Sequence, residues 1–422
     1  MRRRNRIDLA APILVILAAL VFAGACAPRV RRPAEEARLA LEPAAFADLP
    51  GWGEDGMAPA LGAFRRSCAK LAALPAEAPL GGAGFAGTAG DWQAACAAAQ
   101  NIPAGNDLAT RAYFEKWFRP LAAHAEGGDG EGLFTGYYEP LLEGSRKKTE
   151  RYNIPLYSRP PDLVSVDLGA FREDLKGRRI AGRVEDGALV PYADRQEIEQ
   201  GALAGRGLEL VWVDDPIDAF FLQIQGSGRV RLAEGGEMRV GYAGENGHPY
   251  FAIGRELVNR GALRKDEVSM QSIRRWLEEH PAEAPGVLAT NASYIFFREI
   301  EGEGPLGAEG VALTPERSLA VDRKHWPLGV PLWLDTAAPA AQEGVPDRPL
   351  RRLVIAQDTG GAIRGPIRGD VFWGAGDEAA EIAGRMKHPG KLWVLLPKEV
   401  AERVNAPTAP SAPPRSGPVR RE

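Results

Sequence analysis

The sequence predicts a mainly β protein with flanking α-helices, built from barrels rather than from a doubly wound parallel sheet. Many short apolar runs lie between Leu133 and Leu396. They are bounded by Gly, Pro, Asn and Asp, the punctuation of strands and turns. Helical periodicity is confined to an N-terminal group, two segments in the middle of the chain and one near its end. That balance of short strands and few helices is the pattern of barrels. At 422 residues, with 45% apolar and 26% charged residues, the chain has room for two or three ordinary globular domains. A net charge of −4 and a body without basic blocks give no electrostatic case for a nucleic-acid partner.

Residues 1–26 read as an export signal. Arg2, Arg3, Arg4 and Arg6 form a basic start, Ala10–Phe22 is apolar, and Ala23-Gly24-Ala25 precedes Cys26. The pattern resembles a bacterial lipoprotein signal with Cys26 as the lipidated residue, although Ala23 stands where such signals carry a larger aliphatic side chain. Ala27, rather than Asp, follows the cysteine and resembles the outer-membrane address. A cleaved signal peptide and an uncleaved anchor helix are the alternatives. No later stretch is long and apolar enough to span a bilayer. Export to an oxidising compartment makes Cys68 and Cys96, both on inward-facing helical positions, a candidate disulfide; two free buried thiols are the other reading.

Residues 27–45 read as a spacer, and the folded body begins at Phe46. Helices are expected over Ala58–Leu74, Asp91–Ala99 and Leu108–Phe118, the last behind a capping Asn106. Leu133–Tyr138 reads as a strand. From Leu141 to Thr290 the chain turns to short strands: Ile154–Tyr157, Leu208–Val213, Phe220–Ile224 and Arg229–Leu232. Helices Tyr250–Asn259 and Ser269–Glu279 close that region. Strands Tyr294–Phe297, Ser318–Val321, Val330–Leu334, Leu353–Ala356, Val371–Trp373 and Lys391–Leu396 follow, with a helix over Asp377–Met386. The fold is expected to end at 398, and the Pro- and Ser-rich residues toward 422 read as disordered.

Three stretches can carry chemistry. In LVIAQDTGGAIRGPIRGDVFWGAG, Asp358 ends one strand and Asp370 opens the next. The turn between them holds Gly360 and Gly361, where a ligand can approach the main chain closely. Asp beside Gly is equally ordinary turn chemistry. In FFLQIQGSGRV, period-two alternation places Gln223 and Gln225 on one strand face ahead of Gly226 and Ser227. Their amides suit sugar hydroxyls and N-acetyl groups, or simply face solvent. Thr135, Tyr137, Tyr138 and Trp373 can supply hydroxyls and aromatic platforms for sugar rings, or can belong to the core. Asp322, followed by Arg323 and Lys324, fits a structural ion pair better than a direct chemical role. Five scattered histidines form no ligand spacing, and no metal or cofactor is expected.

GYYEP (136–140), QIQGSG (223–228), LAVDRKHWPLG (319–329) and QDTGGAIRGPIRGDVFWG (357–374) together resemble the membrane-bound lytic murein transglycosylases of the A type, MltA. The resemblance runs from about Phe46 to Pro397 with the motifs in order. It implies a double-psi β-barrel formed by residues 46–139 and 291–398, an inserted smaller β-barrel over 140–290, and a groove between them for a glycan strand. It makes Asp370 the catalytic acid, with Asp358 and Asp322 as companions. The implied reaction cuts the β-1,4 bond between N-acetylmuramic acid and N-acetylglucosamine without water. The muramic acid's own O6 attacks, so one Asp serves as acid and then base, where ordinary glycosidases need two carboxylates. Asp370 is then expected to start protonated, raised by burial and by Asp358, unless Arg364 or Arg368 neutralises Asp358. Gly360, Gly361, Gln223 and Gln225 are the expected sugar contacts. Peptidoglycan glycan strands are the implied partner, at the inner leaflet of the outer membrane through the lipid anchor, in the periplasm.

A hydrolytic glycosidase using a second carboxylate and a non-catalytic peptidoglycan-binding lipoprotein are the rival readings. Asp358-Thr359-Gly360 also matches the aspartic-protease triplet, but that chemistry needs two copies, and Asp335-Thr336-Ala337 lacks the glycine.

Overall fold

A computed structural model describes residues 37–405, except 176, 303 and 343. Cys26 with its signal, and the segment from 406 onward, lie outside the described residues.

The chain starts with strand β1 (Leu39–Pro43) and three helices, α1 (Ala58–Ala72), α2 (Gly90–Ala99) and α3 (Asp107–Trp117). Strands β2 (Phe118–Ala125) and β3 (Gly132–Glu139) follow. The insert then contributes β4 (Leu141–Ser145), β5 (Ile154–Tyr157), β6 (Val164–Asp167), β7 (Arg179–Glu185), β8 (Ala188–Pro191) and β9 (Glu209–Val213). Helix α4 (Pro216–Gln225) leads into β10 (Ser227–Leu232) and β11 (Glu237–Glu245). Helices α5 (Ile253–Asn259), α6 (Met270–Glu279) and α7 (Ala284–Ala289) precede β12 (Ile295–Glu299). The chain returns through β13 (Ser318–Val321), β14 (Pro331–Ala338), β15 (Arg348–Asp358) and β16 (Arg368–Ala375). It finishes with α8 (Asp377–Arg385), β17 (Lys387–Pro397) and α9 (Lys398–Asn405).

Six strands close a barrel in the order β17-β14-β15-β13-β16-β3, because β3 pairs with both β16 and β17. β2 and β1 extend the sheet beyond β17. Closure leaves no free edge in the ring. The barrel core is filled by Phe134, Leu319, Leu332, Ile355, Val371 and Val394, all essentially inaccessible. The insert forms a second sheet, β12-β11-β10-β4-β9-β5, with its own core around Val211, Leu222 and Val230. A bridge between Ser158 and Phe297 draws its two ends together. The long apolar runs in β14, β15 and β17 belong to strands covered on both sides. Burial of that kind reads as continuous hydrophobicity rather than alternation.

Cys68 on α1 and Cys96 on α2 are disulfide-bonded, with Cα atoms 5.3 Å apart. The return of the chain into the barrel is anchored by a buried ion pair. Arg317, just before β13, donates 2.7 and 2.8 Å hydrogen bonds to both oxygens of Asp55.

Several expectations need correction. Residues 39–43 are not spacer: β1 pairs antiparallel with β2, Leu39 opposite Ala125, and Leu39 and Leu41 pack on the barrel core. Their period-two spacing was the missed signal. The fold also continues past 398, since α9 buries Val400 and Ala401, and Arg403 reaches Asp91 at 2.7 Å. Residues 118–125 form a strand because Pro120 forbids helix continuation. The expected strand Phe220–Ile224 is helix α4. Asp215 caps it, accepting from the amides of Ile217 and Asp218; Pro216 occupies its first turn, and Gly226 ends it at φ +78°. These are ordinary start and stop signals, and they outweigh the alternation of Phe220, Leu222 and Ile224.

Candidate active site

The three aspartates converge through strand register. β16 runs between β13 and β3, so that Asp370 lies opposite Ala320 on one side and beside Thr135 on the other. Alternation puts Asp370 and Phe372 on one face of β16, and Thr135 and Tyr137 on the adjoining face of β3. The Tyr137 and Phe372 rings pack at 5.2 Å and floor the site.

Asp370 keeps about a fifth of its side chain exposed. Its Oδ1 accepts from the Thr135 hydroxyl and from Arg368, in two short contacts. Arg368 also donates to Thr135 Oγ1 at 2.9 Å and to the Gly369 carbonyl at 2.7 Å. The charge partner of the acid is therefore Arg368, two residues upstream on the same strand. Of the two arginines weighed as partners of Asp358, Arg368 is thus taken by Asp370, and Arg364 donates to the Ile363 carbonyl at 2.9 Å.

Asp358 is committed differently. Its Oδ1 accepts from the amides of Thr359 (2.8 Å) and Ala308 (2.9 Å), and its Oδ2 from the Tyr137 hydroxyl (2.9 Å). Burial of the carboxyl pushes its pKa up to about 6, with the Asp370 charge adding to the rise and the three donors opposing it. Tyr137 is itself raised well above the ordinary phenol value, first by burial and then by Asp358, so it remains a neutral donor.

Asp322 is 4% exposed and accepts backbone amides from Lys324 (3.1 Å) and Gly365 (2.8 Å). It ties the turn after β13 to the loop before β16. The His325 ring nitrogen also stands 4.0 Å from its Oδ2, so the expected structural pairing with a neighbouring basic side chain accompanies these peptide contacts.

A cleft of about 320 Å³ adjoins the site, lined by Thr135, Gly136 and Tyr138 of the barrel and by Gln225, Tyr250 and Ile253 of the insert. Of the sequence-predicted contacts, Thr135, Tyr138 and Gln225 line it. Gln225 also accepts from the Tyr138 amide at 3.1 Å, joining insert to barrel. Gln223 does not line this cleft. It is buried inside the insert, where its Oε1 accepts from Arg195 at 2.8 Å and from the Ile295 amide at 3.2 Å. Helical rather than strand spacing separates the two glutamines. Gly226 and Ser227 form the exit of α4 into β10, outside the cleft lining. Trp373 is core: 6% exposed, it donates to the Met386 sulfur at 3.3 Å and covers Gly136. Tyr137 serves Asp358 and is no platform.

Tyr250 was not anticipated. It stands 40% exposed at the cleft, beside Gly361, and its hydroxyl pKa is raised by burial and by the Asp370 charge. The only sequence signal was a tyrosine after Gly247-His248-Pro249, just ahead of a helix. It is an aromatic that the insert contributes to the cleft beside Asp370.

A second carboxyl supports the site from behind. The Glu309 amide donates to the Gln357 carbonyl at 3.1 Å, and the neighbouring Ala308 amide is the one that reaches Asp358. Ser67 Oγ donates to Glu309 at 2.7 Å. Burial pushes Glu309 up to about 7, against the pull of Ser67, Gln357 and Lys70. The folded protein therefore holds this proton more tightly than the unfolded chain does. Stability from this group is complete below about pH 4.5 and is lost as pH rises toward 7. The loss amounts to about 2–3 kcal/mol. Glu309→Gln should accordingly flatten the fall in melting temperature between pH 5 and 8. Parallel wild-type and variant melting curves across that range would refute the assignment.

A six-stranded barrel with a carboxylate facing a cleft shared with an inserted β domain defines a polysaccharide-processing architecture of the MltA type. Residues 133–298 match the family described as the MltA specific insert domain, and residues 317–396 match the 3D domain. The membrane-bound lytic murein transglycosylase A of Escherichia coli K12 is 33% identical over 274 residues, 64% of this chain and 67% of that protein. The crystal structure of the membrane-bound lytic murein transglycosylase from Agrobacterium tumefaciens is 36% identical. It aligns over 86% of this chain and 99% of that one with a TM-score of 0.76. The E. coli MltA crystal structure with bound chitohexaose is 28% identical over 86% and 95% of the two chains, with a TM-score of 0.62. The chain belongs to the MltA family.

Proposed function

We propose that this protein is a peptidoglycan lytic transglycosylase. It cleaves the β-1,4 bond between N-acetylmuramic acid and N-acetylglucosamine without water, with Asp370 as the single acid and then base. The commitment of the three aspartates carries this reading. Asp358 already accepts three hydrogen bonds and Asp322 two from backbone amides, so neither is placed as a second free carboxylate. Asp370 keeps about a fifth of its side chain exposed and bonds Thr135, which lines the cleft. An inverting or retaining hydrolase requires two working carboxylates. A tethered sugar hydroxyl removes that requirement, because intramolecular attack needs neither a positioned water nor a base dedicated to it.

The proton accounting closes on one residue. Protonated Asp370 gives its proton to the leaving glycosidic oxygen, and the muramic acid O6 attacks C1. The resulting carboxylate takes the O6 proton, leaving a 1,6-anhydro end and a restored acid. The acid step requires Arg368 to leave Asp370, and the Thr135 hydroxyl and Gly369 carbonyl offer it alternative acceptors. Tyr250 and Gln225 are the sugar contacts from the insert, and Gly360 and Gly361 those from the barrel. The chitohexaose held by E. coli MltA supports an amino-sugar strand in this cleft.

The membrane-bound naming of the relatives and the Cys26 motif support a lipid anchor at the inner leaflet of the outer membrane, with the enzyme in the periplasm. Among the described residues no helix is long and apolar enough to cross a membrane.

The test is mass spectrometry of muropeptides released from sacculi. Products ending in 1,6-anhydromuramic acid, one water lighter than reducing sugars, are the expected result. Reducing ends would replace this reading with a hydrolase, and binding without release would leave a peptidoglycan-binding protein.

A further inference from the structure

The insert holds a second cavity of about 610 Å³ to which the reaction assigns no task. That size is typical of a small-ligand site. Its apolar wall is made by Tyr157, Trp212, Phe220, Leu288 and Tyr294. The wall is held rigidly. Behind it Arg195, 1% exposed, donates to Gln223, Glu199 and the Ser293 and Asn291 carbonyls, and stacks over Phe220 at 4.7 Å and Tyr294 at 5.3 Å. This accounts for the buried Gln223 of the QIQGSG motif, which the catalytic cleft leaves unused.

Two observations identify an occupant. The first is charge. Glu199, Glu209, Asp214, Asp215 and Glu278 line the cavity against one lysine, Lys148. Three of these carboxylates have arginine partners: Glu199 with Arg195, Asp214 with Arg151, and Glu278 with Arg274. Asp215 spends its charge on the amides of α4. Among the described residues Glu209 is the lining carboxylate with neither an arginine partner nor a backbone donor, and it leaves the cavity one carboxylate open to a cation. The wall also accommodates ammonium groups, since Lys148 lies 5.2 Å above the Trp212 ring. The second observation is continuity. Phe220 lines both this cavity and the catalytic cleft, so a single helix, α4, separates them. A helix with its side chains is about 10–12 Å across. A peptide of four residues reaches about 13–14 Å when extended.

We propose that this cavity binds the peptide stem carried by the glycan. The amine-bearing aliphatic side chain of the stem's diamino acid lies along the apolar wall, with its ammonium toward Glu209. The inference rests on the transglycosylase reading and deepens it: the insert selects peptide-bearing strands, while Asp370 performs the chemistry on the other side of α4.

The test uses the soluble enzyme, intact sacculi and the same glycan stripped of its stems by an amidase. Ala204, exposed at the cavity rim, is replaced by Trp to fill the entrance without disturbing a core. Glu209→Gln serves as a second variant that adds no bulk. Both should lower turnover of intact sacculi about three- to tenfold and leave turnover of stripped strands unchanged. A free stem tetrapeptide should bind wild type by calorimetry, more weakly when its side-chain amine is acetylated and more weakly to either variant. Equal losses on both substrates, or no binding of the tetrapeptide to wild type, would overturn the proposal. Wild type inactive on both substrates would instead defeat the transglycosylase reading. Tetrapeptide binding in that case would show the cavity to be a peptide site independent of it.

Discussion

Asp370→Asn should lower muropeptide release from sacculi by about 10²–10⁴-fold, the contribution of a positioned acid–base group, while sacculus binding persists. Asparagine keeps the oxygen that Thr135 and Arg368 address, so the strand register of β16 has no reason to change. What disappears is the proton carrier. Asp358→Asn is the contrasting case. Its amide oxygen still accepts from Thr359 and Ala308, and the Tyr137 hydroxyl can turn to accept from the new NH₂. That variant should retain measurable activity, because Asp358 acts through geometry and field rather than by transferring protons. A comparable loss in both variants, with both folded, would place Asp358 in the chemistry and restore a two-carboxylate mechanism. Unchanged release from Asp370→Asn would remove Asp370 altogether.

What the residues disclosed in advance follows from how local each feature is. The C-terminal strands were legible because runs such as Leu353–Ala356 are buried on both faces and are punctuated by Gly and Pro. Asn106 announced its helix through capping chemistry, and its side chain accepts the Ala109 amide as expected of a cap. Helix α4 was misread because Phe220, Leu222 and Ile224 alternate as a strand would, while Asp215-Pro216 before them and Gly226 after them were the stronger local signals. The error moved Gln223 from the insert's interior to an imagined sugar-facing edge. Trp373 failed as a platform for a different reason. Strand alternation fixes which residues share a face but not which face meets solvent, and on β16 the solvent side belongs to Arg368 and Asp370. Arg368 itself lay in plain view at two residues from Asp370. Period-two geometry puts i and i+2 on one face, which should have named it as the acid's partner ahead of Asp358's. Tyr250 was beyond local reasoning, since only the tertiary approach of the insert brings it to Gly361.

Asp55→Ala should destabilise the fold by about 3–5 kcal/mol, the cost of leaving a buried charge without its partner. That corresponds to a fall of about 6–20 °C in melting temperature. Asp55 lies in the segment before α1 and Arg317 immediately precedes β13, so this pair joins the first part of the barrel domain to the part that returns after the insert. The side chains are 4% and 7% exposed, which removes the solvent screening that makes most ion pairs weak. Asp55 does more than pair, because its Oδ2 also accepts the Leu353 amide at 2.9 Å. Arg317 in turn donates to the carbonyls of Leu353 (3.1 Å) and Gly56 (2.7 Å). Removing the carboxylate therefore strands a guanidinium and a strand amide together. If uncompensated charge dominates, Asp55→Leu combined with Arg317→Met should recover part of the loss, although the Leu353 amide stays unsatisfied. If the double variant is as unstable as Asp55→Ala, the backbone contacts of β15 rather than the charge pair hold the seam. The seam matters to catalysis because Leu353 and Asp358 share β15. A barrel loosened at Asp55 shifts the strand that presents Asp358 to Tyr137. Activity of Asp55→Ala should therefore fall with temperature well before that of Asp370-intact enzyme carrying a substitution of equal cost in the separate core of the insert.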